Sequence, residues 1–262
     1  KKDKNKIRVE ISGKNKSQVT GSSTLISIPL KDGGYKRLLV ELGGNQTNKD
    51  LYTEYILNKE IVESVPHNEI DYAFILHCHA DHIFNMPSLI PNGFKGRVIS
   101  NEINKSIMLP MCLDGAFIMN KNVRAINNKK RNVEPLFTDG DVYLLYNRTD
   151  TYTMNEIHKL DDIVSFQFIN AGHILGSCQL ILYIKTPTGQ IKKIHISSDL
   201  GSEYNRQPFV PSKDMVSSSD FSMIEATYNE LGRGFKSKKE VEKERNEFKT
   251  FLKNELKNRH NV

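Results

Sequence analysis

The stretch Ile70-Asp71-Tyr72-Ala73-Phe74-Ile75-Leu76 runs directly into His77-Cys78-His79-Ala80-Asp81-His82. The leading run is apolar, bounded by polar residues and too short for a buried helix, so it reads as a β-strand. Along an extended backbone, residues two apart point to the same side. His77 and His79 can therefore converge on one ion while Cys78 faces away. A turn and helix start at Asp81–His82 would aim a carboxylate and an imidazole at a second ion nearby. Imidazole with carboxylate suits Zn²⁺, and three protein ligands plus a water position is the catalytic pattern.

Working outward, His173 lies in Ala171-Gly172-His173-Ile174-Leu175-Gly176-Ser177, between two predicted strands. Its glycines let the backbone turn sharply and leave room beside the ring. Asp199, in Ile196-Ser197-Ser198-Asp199-Leu200-Gly201, ends a strand where a bridging carboxylate would be useful. Taken alone, His173 reads as a core histidine and Asp199 as a turn or cap residue. Beside the first cluster, ligand roles become the better reading.

The rest of the chain supplies strands and helices in mixture. Strands are predicted over Gln18–Ile28 and Tyr35–Leu42, parted by the turn KDGG, with a helix over Asp50–Val62. A helix over Ile83–Leu89, a strand at Val98–Ile99 and a helix starting at Glu102–Leu113 follow. Asn120–Asn155 is rich in Asn, Lys and Asp and reads as exposed and partly irregular, with Asp139-Gly140-Asp141 an ordinary turn. Strands resume at Ile163–Ile169, Gln179–Ile184, Ile191–Ile196 and Met223–Ala226. From Ser237 on, Val241, Phe248, Phe251, Leu252 and Leu256 share a helical face. The fold class is α/β or α+β.

Composition narrows the function classes. In 262 residues, 37 Lys and Arg against 31 Asp and Glu give a net charge of +6, compatible with a polyanionic partner. A hydrophobic content of 38% excludes a wholly disordered chain. No apolar run approaches the roughly 20 residues of a membrane span. The three cysteines form no CxxC pair, which excludes a disulfide framework and a zinc finger and suggests the cytoplasm. No phosphate loop, dinucleotide fingerprint or nucleophile elbow appears, so no organic cofactor is expected.

Taken in order, HCHADH, AGHILGS and SSDLG resemble the metallo-β-lactamase superfamily of binuclear zinc hydrolases. More narrowly they resemble its β-CASP branch of RNA- and DNA-processing nucleases, which includes RNase J-like and cleavage-and-polyadenylation-type enzymes. VTGSSTLI with LLVELGG resembles that branch's opening hairpin, ISNEINKSIMLPMCLDGAFI the helical stretch after the first motif, and IEATYN its ESTYG segment. The resemblance implies an αββα sandwich, incomplete here, followed by the start of an inserted β-CASP domain. It implies His77, His79 and His173 on one zinc, Asp81 and His82 on the other, and Asp199 bridging. Asp81, Asp199 and Glu225 are the implied catalytic set, Glu225 by orienting a ligand histidine. Glu41 stands where the branch carries Asp.

The expected organisation is a polar leader over 1–17, a metallo-β-lactamase-like portion over 18–235, and over 236–262 the first helix of a truncated β-CASP insert. The chain begins KKDKNK without Met and reads as the N-terminal part of a longer protein. His260 reads as a solvated tail residue and not as the final zinc ligand of the branch. The implied function is hydrolysis of RNA phosphodiester bonds by metal-activated hydroxide, on two Zn²⁺ ions roughly 3.5–4 Å apart. Alternatives are a thioester or lactone metallo-hydrolase and a non-catalytic scaffold subunit of a nuclease complex. Implied partners are RNA, with single-stranded DNA as the variant, and either a second copy or the remaining C-terminal portion; no membrane is implied. Lys129-Lys130-Arg131 and Lys236 to Arg245 could contact phosphates, and Tyr228 and Phe235 could stack on bases.

Overall fold

The computed structural model describes residues 6–11, 20–46, 50–201, 218–227 and 237–257. Expectations placed on Gln18, Val19, Tyr228, Phe235, Lys236, His260 and most of the leader lie outside these residues. Two sheets carry the fold. The first runs β1 (Arg8–Ile11), β2 (Thr24–Pro29), β3 (Tyr35–Val40), β4 (Tyr72–Phe74), β5 (Arg97–Ser100) and β6 (Thr149–Thr151) in spatial order. Its first two pairings are antiparallel and its last three parallel. The second has the order β11 (Phe221–Met223), β10 (Ile191–Ile196), β9 (Cys178–Lys185), β8 (Val164–Asn170) and β7 (Ile157–Lys159), with only β10–β11 parallel.

Strand alternation sorts the side chains into two cores. Leu38, Val40, Tyr72, Phe74 and Ile99 point inward and meet Phe166, Phe168, Leu180 and Leu182 of the second sheet. Phe74 presents its face or edge to Phe166 at 5.5 Å and to Phe168 at 6.4 Å between centroids, the favoured T-shaped arrangement. Leu39, Ala73, Ile75 and Val98 point outward into a core closed by α1 (Leu51–Glu63), α3 (Glu102–Asn127) and α4 (Asp139–Asn147). Described residues thus build helix, sheet, sheet. On α5 (Lys238–Lys257), Phe248, Phe251 and Leu256 are exposed.

Several local expectations change. The helix expected over Ile83–Leu89 is split into α2 (Ala80–Ile83) and a 3₁₀ turn over Met86–Leu89. Pro87 has no N–H with which to continue an α-helical ladder. The stretch from Asn120 to Asn155 is not mainly irregular. α3 runs on to Asn127, and Asp139-Gly140-Asp141 opens α4 through a reciprocal capping box between Thr138 and Asp141. Phe137, Val142 and Leu145 are buried there, because an amphipathic helix needs only one apolar stripe. Arg8–Ile11, within the expected leader, pairs with β2, and Glu225 and Ala226 lie beyond the end of β11.

The two sheets are tied at both ends. At one, Asp161 precedes β8 and accepts hydrogen bonds from Lys36 Nζ (2.7 Å) and Tyr72 OH (3.0 Å) of the first sheet. Its other oxygen accepts from the backbone N–H groups of Ile163 and Val164, both at 2.8 Å. The other end, where β3, β4, β8 and β10 terminate, holds the histidines.

Candidate metal centre

Three strand ends deliver the candidate ligands. β4 leads into His77 and His79, and His79 is the N-cap residue of α2, which places Asp81 and His82 in its single turn. β8 leads into His173, and β10 into Asp199. Two glycines let these loops nest. A Cβ on Gly43 would lie 1.6 Å from the Asp81 carbonyl oxygen, and one on Gly201 would lie 1.6 Å from that of Gly172. Any larger residue would force the loops apart. Backbone hydrogen bonds hold the nested arrangement: Leu42 N–H donates to His82 O, Gly44 N–H to Ala80 O, and Gly201 N–H to Ala171 O, all at 2.9–3.0 Å.

All six expected ligands come together. Donor atoms of His77, His79, His173 and Asp199 form one group within 4.8 Å of one another, and those of Asp81, His82 and Asp199 form a second. His79 Nδ1 stands 3.1 Å from His173 Nε2. The rings of His77, His79 and His173 lie 4.9–5.2 Å apart by centroid, each pair edge to face. Asp199 belongs to both groups through different atoms. Its Oδ1 is 3.3 Å from His82 Nε2, while its Oδ2 is 3.6 Å from His173 Nε2 and 3.8 Å from His77 Nε2. A carboxylate with one oxygen toward each set is what a bridging ligand requires.

The donor set fits divalent metal. His77 Nε2 is buried, points into the first group and has no hydrogen-bond partner among the described residues. A buried polar atom in that state is costly unless something binds it. Burial, with the other imidazoles beside them, holds the pKa values of His79 and His173 below the ordinary histidine value, so both present neutral nitrogens. Burial would raise the pKa of Asp199, but the hydrogen bond and charge of His82 hold it down, ionised.

Glu41 stands behind the ligands, fully buried at the end of β3 with φ +62°. Its Oε2 accepts from His82 Nδ1 at 2.7 Å and from the Ser22 hydroxyl at 2.8 Å; its Oε1 accepts from the Ser198 hydroxyl at 2.7 Å. Burial alone would raise its pKa, yet His82 and His77 hold it well below the usual carboxylate range. Burial would lower the pKa of His82, but the Glu41 and Asp199 carboxylates push it up to about 11. The carboxylate at position 41 thus reaches a candidate ligand histidine from behind, an arrangement that fixes ring orientation and raises basicity.

Among the described residues Glu225 hydrogen-bonds no histidine, though its charge acts on His173; its Oε1 accepts from Leu200 N–H at 2.7 Å and its Oε2 from the Thr227 hydroxyl at 2.5 Å. It therefore steadies the loop that carries Asp199. Sequence reasoning missed Ser22 and Ser198, since serines carry no spacing signal and their partners are remote in the chain. Cys78 faces away from the ligands, its thiol donating to Asn104 O at 3.3 Å. Cys112 and Cys178 are buried too, and burial pushes all three thiols up, that of Cys112 to about 12.

No family model matches the chain. Among curated proteins it is 27% identical over 160 residues to transcription termination factor FttA of Methanosarcina mazei, covering 61% of this chain and 22% of that protein. It is 22% identical over 213 residues to ribonuclease TTHA0252 of Thermus thermophilus, covering 81% and 42% respectively. It is 28% identical over 126 residues to cleavage and polyadenylation specificity factor 73 of Drosophila melanogaster, covering 47% and 17%. The chain spans less than half the length of each of these relatives.

Proposed function

Starting from a chain that belongs to the metallo-β-lactamase superfamily, on its β-CASP side, we propose a zinc-dependent ribonuclease that hydrolyses RNA phosphodiester bonds. The observation that carries this reading is the split of Asp199, one oxygen toward His82 and the other toward His77 and His173. It supports two ions side by side, the arrangement suited to in-line displacement at phosphorus. When bound, such a pair supplies a water of lowered pKa and a Lewis acid for the phosphoryl oxygen.

This chain's own residues do the holding and orienting. His77, His79 and His173 would hold one ion and Asp81 with His82 the other. Glu41 accepts from His82 Nδ1 and so leaves Nε2 as the atom that would coordinate, which must be free of a proton to bind metal. Glu225 anchors the Leu200 N–H and with it the reach of Asp199. The net charge of +6 and the names of two relatives, a ribonuclease and a cleavage and polyadenylation factor, support RNA as the substrate. Three free, buried cysteines support a reducing, cytoplasmic setting, and no described helix is long and apolar enough to cross a membrane.

The test is cleavage of single-stranded RNA by wild type, His79→Ala and Asp81→Ala, alongside zinc per chain in protein purified without chelator. Loss of cleavage in both variants, with close to two zincs in wild type, is expected. Wild-type rates in either variant would sink the reading, and turnover of a thioester without any cleavage of nucleic acid would replace it.

A further inference from the structure

We propose that Ser198 is a positioning residue whose hydroxyl relays Glu41 to His77 and fixes His77 as the Nδ1–H tautomer, with Nε2 bare. Glu41 touches the two histidines of its pocket unequally. It reaches His82 Nδ1 directly at 2.7 Å, but its Oε1 stands 3.6 Å from His77 Nδ1, too far for a hydrogen bond. The Ser198 Oγ fills that gap, 2.7 Å from Glu41 Oε1 and 3.1 Å from His77 Nδ1.

Proton counting sets the direction. A serine hydroxyl has one proton, and an ionised carboxylate only accepts. The Ser198 proton therefore goes to Glu41, and the same oxygen can then only accept from His77. A neutral imidazole that donates from Nδ1 has its lone pair on Nε2. His77 Nε2 is buried, has no hydrogen-bond partner among the described residues, and faces the His79, His173 and Asp199 group.

Backbone geometry points the same way. Ser198 sits at φ +50°, a left-handed conformation that glycine adopts freely and other residues rarely do. Glycine there would relieve the backbone but lack the hydroxyl. The strained residue lies one position before Asp199, at the end of a strand in the second sheet, while His77 and Glu41 belong to the first. One hydroxyl thus sets the register between the bridging carboxylate and the histidine motif.

Two variants of the full chain, Ser198→Gly and Ser198→Ala, test this. The first readout is the His77 tautomer by imidazole ¹⁵N NMR on metal-free protein at mildly alkaline pH. Wild type is expected as Nδ1–H, and both variants as mixtures. The second readout, zinc affinity by chelator competition, rests on the metal-centre reading. Both variants are expected to bind about ten- to hundredfold more weakly, the usual cost of removing a group behind a ligand. Ser198→Gly should meanwhile keep or raise the thermal midpoint, because glycine suits the backbone. A purely structural role for Ser198 gives the reverse: wild-type zinc affinity and tautomer in Ser198→Gly, which overturns the proposal. His77 found as Nε2–H in wild type overturns it as well. If wild type takes up no zinc, the metal reading fails by itself and the tautomer alone decides on Ser198.

Discussion

Glu41 and Asp161 tie opposite ends of the same two sheets, and they do so in contrasting ways. Asp161 accepts four hydrogen bonds, two from Lys36 and Tyr72 across the sheets and two from its own turn. Each donor is satisfied by the contact, and the backbone around it is ordinary. Glu41 accepts from His82, Ser22 and Ser198, yet beside those donors His77 Nε2 stays without a partner among the described residues, and His82 Nε2 faces Asp199 in the second donor group. Both Glu41 and Ser198 have positive φ. A fastening saturates its partners and relaxes the chain; a reactive centre keeps nitrogen and oxygen atoms free and strains the chain to aim them.

The largest test removes what the two ends share. Phe74 lies between them in β4, packed edge to face on Phe166 and Phe168. Phe74→Ala is expected to cost about 3–5 kcal/mol in urea unfolding, with both ends lost in one transition. Two separated transitions would break the picture of a single pair of sheets. Next comes Glu41→Gln, expected to lower zinc affinity and RNA cleavage by about ten- to hundredfold. Unchanged zinc affinity would put Glu41 on a level with Asp161.

Asp161→Asn should sharpen the contrast from the other side. It loses charge-assisted bonds and is expected to cost about 1.5 kcal/mol of stability while leaving cleavage unaltered. Reduced cleavage would mean that the far end governs the site. The smallest effect is in pH. Burial would raise the Asp161 pKa, but the Lys36 hydrogen bond and the Ile163 and Val164 N–H groups hold it below the ordinary value. A lowered folded value contributes stability that is complete above the unfolded pKa of about 3.9 and disappears as pH falls through the folded one. The stability gap between wild type and Asp161→Asn should therefore shrink on acidification below about pH 4, followed by urea midpoints.

What was legible in the sequence was whatever a short stretch determines. The His77–His82 motif carries its geometry within one strand end and one helical turn, so the placement of four candidate ligands could be read locally, whereas His173 and Asp199 became candidates only beside that cluster and through the family resemblance. The hydroxyl of Ser198 could not be read, because its partner Glu41 lies 157 residues away. Nor could the hydrogen bond from Leu200 N–H to Glu225, which lies past the end of β11 at Met223 and 25 residues from its donor. The stretch around α4 was hidden by its Asn, Lys and Asp surface, since Val142 and Leu145 are few but fully buried. β6 and β7 are three residues each, too short for any alternation to show.

The three buried thiols have a kinetic consequence. Cys78, Cys112 and Cys178 are each nearly inaccessible, and burial keeps all three protonated and unreactive at neutral pH. An alkylating reagent can modify them only when the sandwich opens. Cys178 lies in the core between the sheets, whereas Cys78 and Cys112 lie in the core between sheet and helices. Resolved by site, alkylation rates would therefore clock the opening of each layer separately, with no engineered reporter residue.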